Sequence, residues 1–173
     1  MRLLLIALVA LGVASAQNAP SNPLLTSSKM FYTNVKGNIL KSADKVPEAK
    51  YSFAPTDGVR TFGQILAHVA DGQYEFCGAA KEGPRTQKDI EHTAKTKAEI
   101  VAALNEAFAF CDAVYAGLTD ATASTTIPGF GGQKFTRLSF LDFNVAHTSE
   151  HYGNLVTYMR ILGMVPPSSE SRR

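Results

Sequence analysis

Between Leu138 and Gly163 the apolar residues Leu138, Leu141, Val145, Tyr152, Leu155, Met159 and Leu162 keep to alternating steps of three and four. That spacing lines one side of an α-helix and marks a seam against other helices. A helix this long cannot bury such a seam alone, so the chain must supply partners. Ser139 with Asp142 resembles an N-terminal cap, and Gly163 followed by Pro166-Pro167 is a stop signal. Beside the apolar seam runs a polar stripe of Asn144, His147, His151, Asn154 and Tyr158. Two imidazoles four positions apart sit one above the other on a helix and can aim at one ion. Polar groups inside an apolar helix cost free energy unless something satisfies them.

Three more amphipathic segments precede this one. The first runs from Pro23 to about Asp44, with Phe31, Val35, Ile39 and Val46 on one face and Pro47 as terminator. A capping box of Thr61 with Gln64 opens the second, whose inward set is Phe62, Ile65, Leu66, Val69 and Phe76, ending near Ala80. Thr96 with Glu99 opens the third, which carries Ile100, Leu104, Ala107, Cys111, Val114 and Leu118 at seam spacing. Residues 119–137 are rich in Thr and Gly and leave room for a short hairpin. Four such helices and no convincing strand pattern indicate an all-α chain, a four-helix bundle occupying residues 23–165. Residues 17–22 read as a flexible lead-in and 166–173 as a loose tail.

The polar connector between the second and third helices, residues 81–96, is longer than a tight antiparallel turn needs. Extended, it reaches on the order of 50 Å, enough to cross a helix of about 30 Å. Counting from the caps, Cys77 lies sixteen positions after Thr61 and Cys111 fifteen after Thr96. If these helices run parallel the two sulfurs stand at one height; if antiparallel they lie too far apart for a disulfide. Parallel helices joined by Cys77–Cys111, with a long crossover, are therefore the expectation. Two buried thiols are the alternative, because Cys111 already falls on a core stripe.

The chain opens with one positive charge, an apolar run too short to span a bilayer, and Ala14-Ser15-Ala16. Residues 1–16 thus read as a signal peptide cleaved after Ala16, and Gln17 in place of cysteine argues against lipid attachment. A secreted or periplasmic location follows, one that permits the disulfide. No later apolar run looks long enough for a membrane helix, so no membrane is expected after cleavage. Without Arg2 there are sixteen basic residues against fifteen acidic ones, and no basic block. Nucleic acid is a poor partner for such a balance.

The chemistry falls to histidine. His68 sits on the stripe Ile65, His68, Gly72, Phe76 of the second helix, and Gly72 leaves room beside an imidazole. With the second and last helices antiparallel, His68 faces His147 and His151. Three neutral imidazoles suit a divalent cation (zinc, nickel or iron) and leave coordination positions open to water or a small-molecule ligand. His92, in the polar connector, reads as a surface residue. Asp71 and Glu150 are candidates to orient a ligand or serve as general base, with Glu150 better read as solvated. Asn144, Asn154 and Tyr158 extend the histidine stripe and either contact a ligand or satisfy buried hydrogen bonds. Gly129-Phe130-Gly131-Gly132 lacks the context of a phosphate loop and reads as a flexible loop lining the site.

Three stretches carry a family resemblance: Arg60-Thr-Phe-Gly-Gln-Ile-Leu-Ala-His68-Val-Ala70, Ala146-His147-Thr-Ser-Glu-His151-Tyr-Gly-Asn154, and Tyr158-Met-Arg-Ile-Leu-Gly163-Met-Val-Pro-Pro167. Together they resemble the DinB/YfiT-like superfamily of metal-binding four-helix bundles, across nearly all of the chain after residue 16. The resemblance implies up-down-down-up topology, a metal triad at His68, His147 and His151, and a homodimer through helix faces. It is specific for fold and metal and weak for reaction, since characterised relatives include thiol-dependent transferases and isomerases. Two functions stay open: an exported metal-dependent hydrolase or transferase, and a non-catalytic bundle binding metal or a small ligand. A third, an interaction bundle, would show a large exposed apolar patch.

Overall fold

The computed structural model describes residues 21–82 and 88–170. The stretch expected to be a signal peptide, residues 1–16, and most of the expected lead-in lie outside the described residues. Four long helices form the body: α1 (Pro23–Lys45), α2 (Phe62–Glu82), α4 (Lys97–Gly117) and α6 (Arg137–Ile161). Two short helices, α3 (Ile90–Thr93) and α5 (Asp120–Ala123), and a hairpin of β1 (Thr126–Pro128) and β2 (Lys134–Thr136) fill the connections.

The inward face of α1 and the residue after it is Leu25, Ser28, Tyr32, Val35, Ile39, Ser42 and Val46, all buried at unbroken steps of three and four. Phe31, expected inside, is exposed, because Tyr32 one position on takes the seam and 100° of rotation carries Phe31 outward. Proline in the first turn fits the start of α1, and the Asp120 carboxylate accepts from the Leu24 and Leu25 amides at 2.9 Å. Asn22 returns the contact by accepting from the Asp120 amide. Both anticipated capping boxes form. Thr61 and Gln64 exchange bonds at the start of α2, as Thr96 and Glu99 do at α4.

Pairwise contacts fix the directions. α2 and α4 run parallel: Gly63 lies near Ile100 at one end, and the Cys77–Cys111 disulfide, with Cα atoms 5.4 Å apart, joins them towards the other. α6 opposes α2, since Arg137 donates to the Lys81 carbonyl while Tyr158 reaches the Arg60 carbonyl. α1 opposes α4, with Tyr32 on Phe108 and Lys97 on Val46. Traced in chain order, the four directions are up, down, down, up.

Other details differ from expectation. Thr136, not Ser139, caps α6: its side chain accepts from the Ser139 amide as the chain leaves β2. The stop at Gly163 is as expected: in the left-handed region at φ 74°, it closes α6 with the Met164 amide bonded to the Met159 carbonyl. The tail expected to be loose packs as far as Glu170. Pro167 is buried, Tyr152 bonds Ser168 and Lys45 pairs with Glu170. Against the expectation that no later apolar run is long enough, α4 would by length and hydropathy suffice to cross a membrane. Here it is a core helix: Leu104, Ala107, Phe108 and Cys111 are buried, and Glu99, Asn105 and Glu106 point outward.

Candidate metal centre

His68 on α2 and His147 and His151 on α6 meet where the antiparallel helices pack. The Nε2 atoms of His68 and His147 stand 3.1 Å apart, and those of His147 and His151 also 3.1 Å. One donor atom from each of the three lies within 4.8 Å of the other two. Nitrogens bound to one ion at about 2.0–2.1 Å lie roughly 3 Å from one another, so the observed separations fit a shared centre. The triad anticipated from the sequence is assembled, its three histidines positioned to hold a metal ion.

Burial first, then the neighbouring imidazoles and Arg60, hold His147 down to a pKa of about 3. Burial and His68 likewise lower His151. Both rings are therefore neutral near pH 7, and each has one nitrogen with a lone pair to offer. Gly72 is what allows His147 its place: a Cβ there would stand 2.7 Å from the imidazole Cε1. Phe76 packs edge-on against the same ring, centroids 5.2 Å apart.

A chain of contacts orients His68. Its Nδ1 lies 3.0 Å from Glu91 Oε2, so Nδ1–H donates to the carboxylate and Nε2 presents a lone pair to the centre. Burial raises the Glu91 pKa, but Arg60 and His68 outweigh it and keep the carboxyl below the usual range. Glu91 Oε1 in turn accepts from Arg60 Nε at 2.8 Å. Asp71 stands one step further back than anticipated. Its two oxygens accept from the amides of Ile90 and Glu91, both at 2.9 Å, and so pin α3, which carries Glu91.

The remaining predicted residues divide. Asn154 Nδ2 is 3.5 Å from His151 Nδ1, a long contact. When Nε2 of His151 supplies the lone pair, Nδ1 carries the proton, and the carboxamide oxygen of Asn154 is then the partner it needs. Tyr158 donates to the Arg60 carbonyl at 2.9 Å and stands at the rim. Asn144 is buried away from the triad: its Nδ2 bonds Gln73 at 2.7 Å and lies 3.6 Å from each disulfide sulfur. Glu150 is exposed at the mouth, and His92 is a surface residue paired with Asp89. The Gly129–Gly132 segment turns the hairpin and does not line the site. Phe130 packs on Phe143, which in turn packs on Phe76 beside His147. Glu91 and Arg60 are the residues that the sequence reading did not assign to the site.

A cleft of about 610 Å³ reaches the triad at His151, and is lined also by Arg60, Gln64, Glu91, Glu150, Asn154 and Tyr158 among others. A more apolar cavity of about 430 Å³ lies between Phe110, Val114, Leu118 and Arg137, with no histidine or carboxylate in its lining.

The profile of the DinB superfamily matches residues 32–155. The chain belongs to the DinB superfamily. Similar folds include a DinB-like protein from Bacillus subtilis at 20% identity and a TM-score of 0.68, covering 88% of this chain and all of the other. A DinB-like protein from Bacillus cereus is likewise 20% identical, with a TM-score of 0.66 and 82% and 95% coverage. A mycothiol-dependent maleylpyruvate isomerase shares the fold at 13% identity and a TM-score of 0.62, covering 76% of this chain and 60% of its own. No curated protein sequence matches. At these identities the solved structures establish a common fold and leave the reaction to be argued from the site.

Proposed function

We propose that this DinB superfamily chain is exported and binds a divalent metal (zinc, nickel or iron) through His68, His147 and His151, acting as a metal-dependent hydrolase or transferase. The observation that carries the reading is the convergence of three imidazole Nε2 atoms beside an open cleft. Three protein ligands leave coordination positions for water or substrate, as at catalytic sites. A bound metal supplies Lewis acidity toward a carbonyl, a water or a thiol. The chain's own residues hold it there: Glu91 fixes the tautomer of His68, Gly72 admits the His147 ring, and Phe76 covers one side of it. Export rests on the leader-like N-terminus and is supported by the disulfide.

One observation favours a second reading, a non-catalytic binder of metal or a small ligand. Glu91 spends one oxygen on Arg60 and the other on His68, while Glu150 faces solvent. No other lining carboxylate stands ready to accept a proton. Elemental analysis of the exported protein, purified without added metal, tests the common core of both readings. About one equivalent is expected in the native protein and none in His151→Ala; equal content in the two overturns the triad. Hydrolytic or transfer turnover by the metal-loaded protein, lost with His151→Ala, separates the first reading from the second.

A further inference from the structure

Arg60 is the residue immediately before the Thr61 cap of α2, and both ends of it are held. Its carbonyl accepts from Tyr158, and its Nε donates to Glu91. A guanidinium carries five donors in a planar fork. Arginine–carboxylate pairs are frequently two-pronged. Here Glu91 accepts through a single oxygen, because the other is committed to His68. Among the described residues, the terminal nitrogens of Arg60 have no hydrogen-bond partner. The side chain keeps 43% of its surface exposed although its base is pinned. It lines the same cleft as His151, two hydrogen bonds away from the His68 ring.

The charges around the cleft point the same way. Both oxygens of Glu91 are already engaged, by Arg60 and by His68, and Glu150 lies at the exposed rim. Imidazole ligates a metal in its uncharged form, so an ion seated on these three rings would keep its positive charge. Gln64 and Asn154 add carboxamides to the wall, and a volume of about 610 Å³ suits a small molecule.

We propose that Arg60 is the anion receptor of this cleft, and that the ligand is a small carboxylate whose second polar group, a carbonyl or hydroxyl, reaches the three Nε2 atoms. This rests on the metal-binding reading above and names the class of ligand for that site. Arg60 thus has two duties. One edge of its fork orients Glu91, and the free donors take one end of the ligand as a charge-assisted, two-pronged pair. The spacing between Arg60 and the triad then selects ligands by the distance between their two ends.

The test uses a series of straight-chain molecules with a hydroxamate at one end and a carboxylate at the other, each paired with its methyl ester. Binding to zinc-loaded protein is measured by calorimetry. The hydroxamate reports the metal, and the acid–ester difference reports Arg60. At one chain length the acid is expected to bind at least tenfold tighter than its ester. Arg60→Gln removes that preference, and Arg60→Lys retains part of it. Metal content is measured for each variant, so loss of zinc cannot pass for loss of anion recognition. The wild-type comparison of acid with ester needs no variant. Equal affinity of acid and ester at every length, or a preference that survives in metal-loaded Arg60→Gln, overturns the proposal. Failure of the wild-type protein to load zinc or bind any hydroxamate instead sinks the metal reading, and the ligand assignment falls with it.

Discussion

Two polar layers interrupt the apolar interface between α2 and α6, about a turn apart. One is Gln73, Asn144 and Thr148 beside the Cys77–Cys111 disulfide; the other is the histidine triad. In the first, Gln73 donates to Thr148 and accepts from Asn144, and every one of its residues is essentially inaccessible. Only the Asn144 carboxamide oxygen lacks a partner. In the second, three ring nitrogens face one another, His147 Nδ1 is buried without a partner, and a cleft opens alongside. A layer that closes its own hydrogen bonds contributes to the fold, whereas three converging imidazole nitrogens form a set that an external cation can occupy. Two of the three residues that extend the histidine stripe show this division: Asn144 belongs to the closed layer and Asn154 to the open one.

The largest expected effect tests the closed layer. The disulfide spans 34 positions, and cross-linking a loop of that size stabilises by about 3–4 kcal/mol on the chain-entropy model. Replacing both cysteines by alanine should lower stability in denaturant by that order while leaving metal stoichiometry unchanged. Metal loss in the folded double variant would show that the layers are coupled and the comparison is mistaken.

The open layer should respond in the opposite sense. Glu91→Gln keeps the shape of the side chain but removes the charge that fixes His68, so metal affinity should fall roughly 10–100-fold. Stability of the metal-free protein should change little. Competition with a chromogenic chelator measures the first quantity and urea unfolding the second. Unchanged affinity would reduce Glu91 to a surface partner of Arg60.

How far these layers were readable from the chain follows from the range of the contacts involved. The triad was legible because His147 and His151 are local neighbours and Gly72 marks the space beside them. The disulfide was legible because two capping boxes set a common origin for counting along α2 and α4. Phe31 and Tyr32 are adjacent aromatics, and only packing on Phe108 and Tyr115 decides which turns inward. Glu91 was hidden in a connector that looked merely polar. Its helix is a single turn, too short to form on propensity, and is held by an Asp71 carboxylate about twenty residues earlier in the chain. The tail misled for the same reason: Ser168 is ordered by Tyr152, a partner that no local pattern advertises.

Acid should also separate the layers. His147 and His151 have folded-state pKa values below their unfolded value of about 6.5. Above that pH both states are neutral and the pair contributes nothing to the pH dependence. As pH falls below about 6.5 the unfolded chain takes up protons that the folded chain refuses, so stability of the metal-free protein declines, levelling for His147 near its folded value of about 3. His147→Leu should flatten part of this decline, since the closed layer contains no group that titrates there. Melting curves of both proteins across that range, with chelator present, check it; parallel slopes would mean that His147 is not held neutral by its surroundings.

The smallest effect is the most discriminating, because it acts on the triad without touching it. Asp71 reaches no histidine directly; it accepts from two amides at the start of α3 and so places Glu91 within 3.0 Å of His68. Asp71→Asn retains one acceptor oxygen, so α3 should persist with a weaker anchor rather than detach. Metal affinity should then fall by less than tenfold, in the same direction as Glu91→Gln. In a Glu91→Gln background the Asp71 substitution should add almost nothing, because two groups acting along one chain of contacts are not additive. Chelator competition across the four proteins of that cycle gives the coupling. Full additivity would place Asp71 outside the metal centre and leave Glu91 dependent on Arg60 alone.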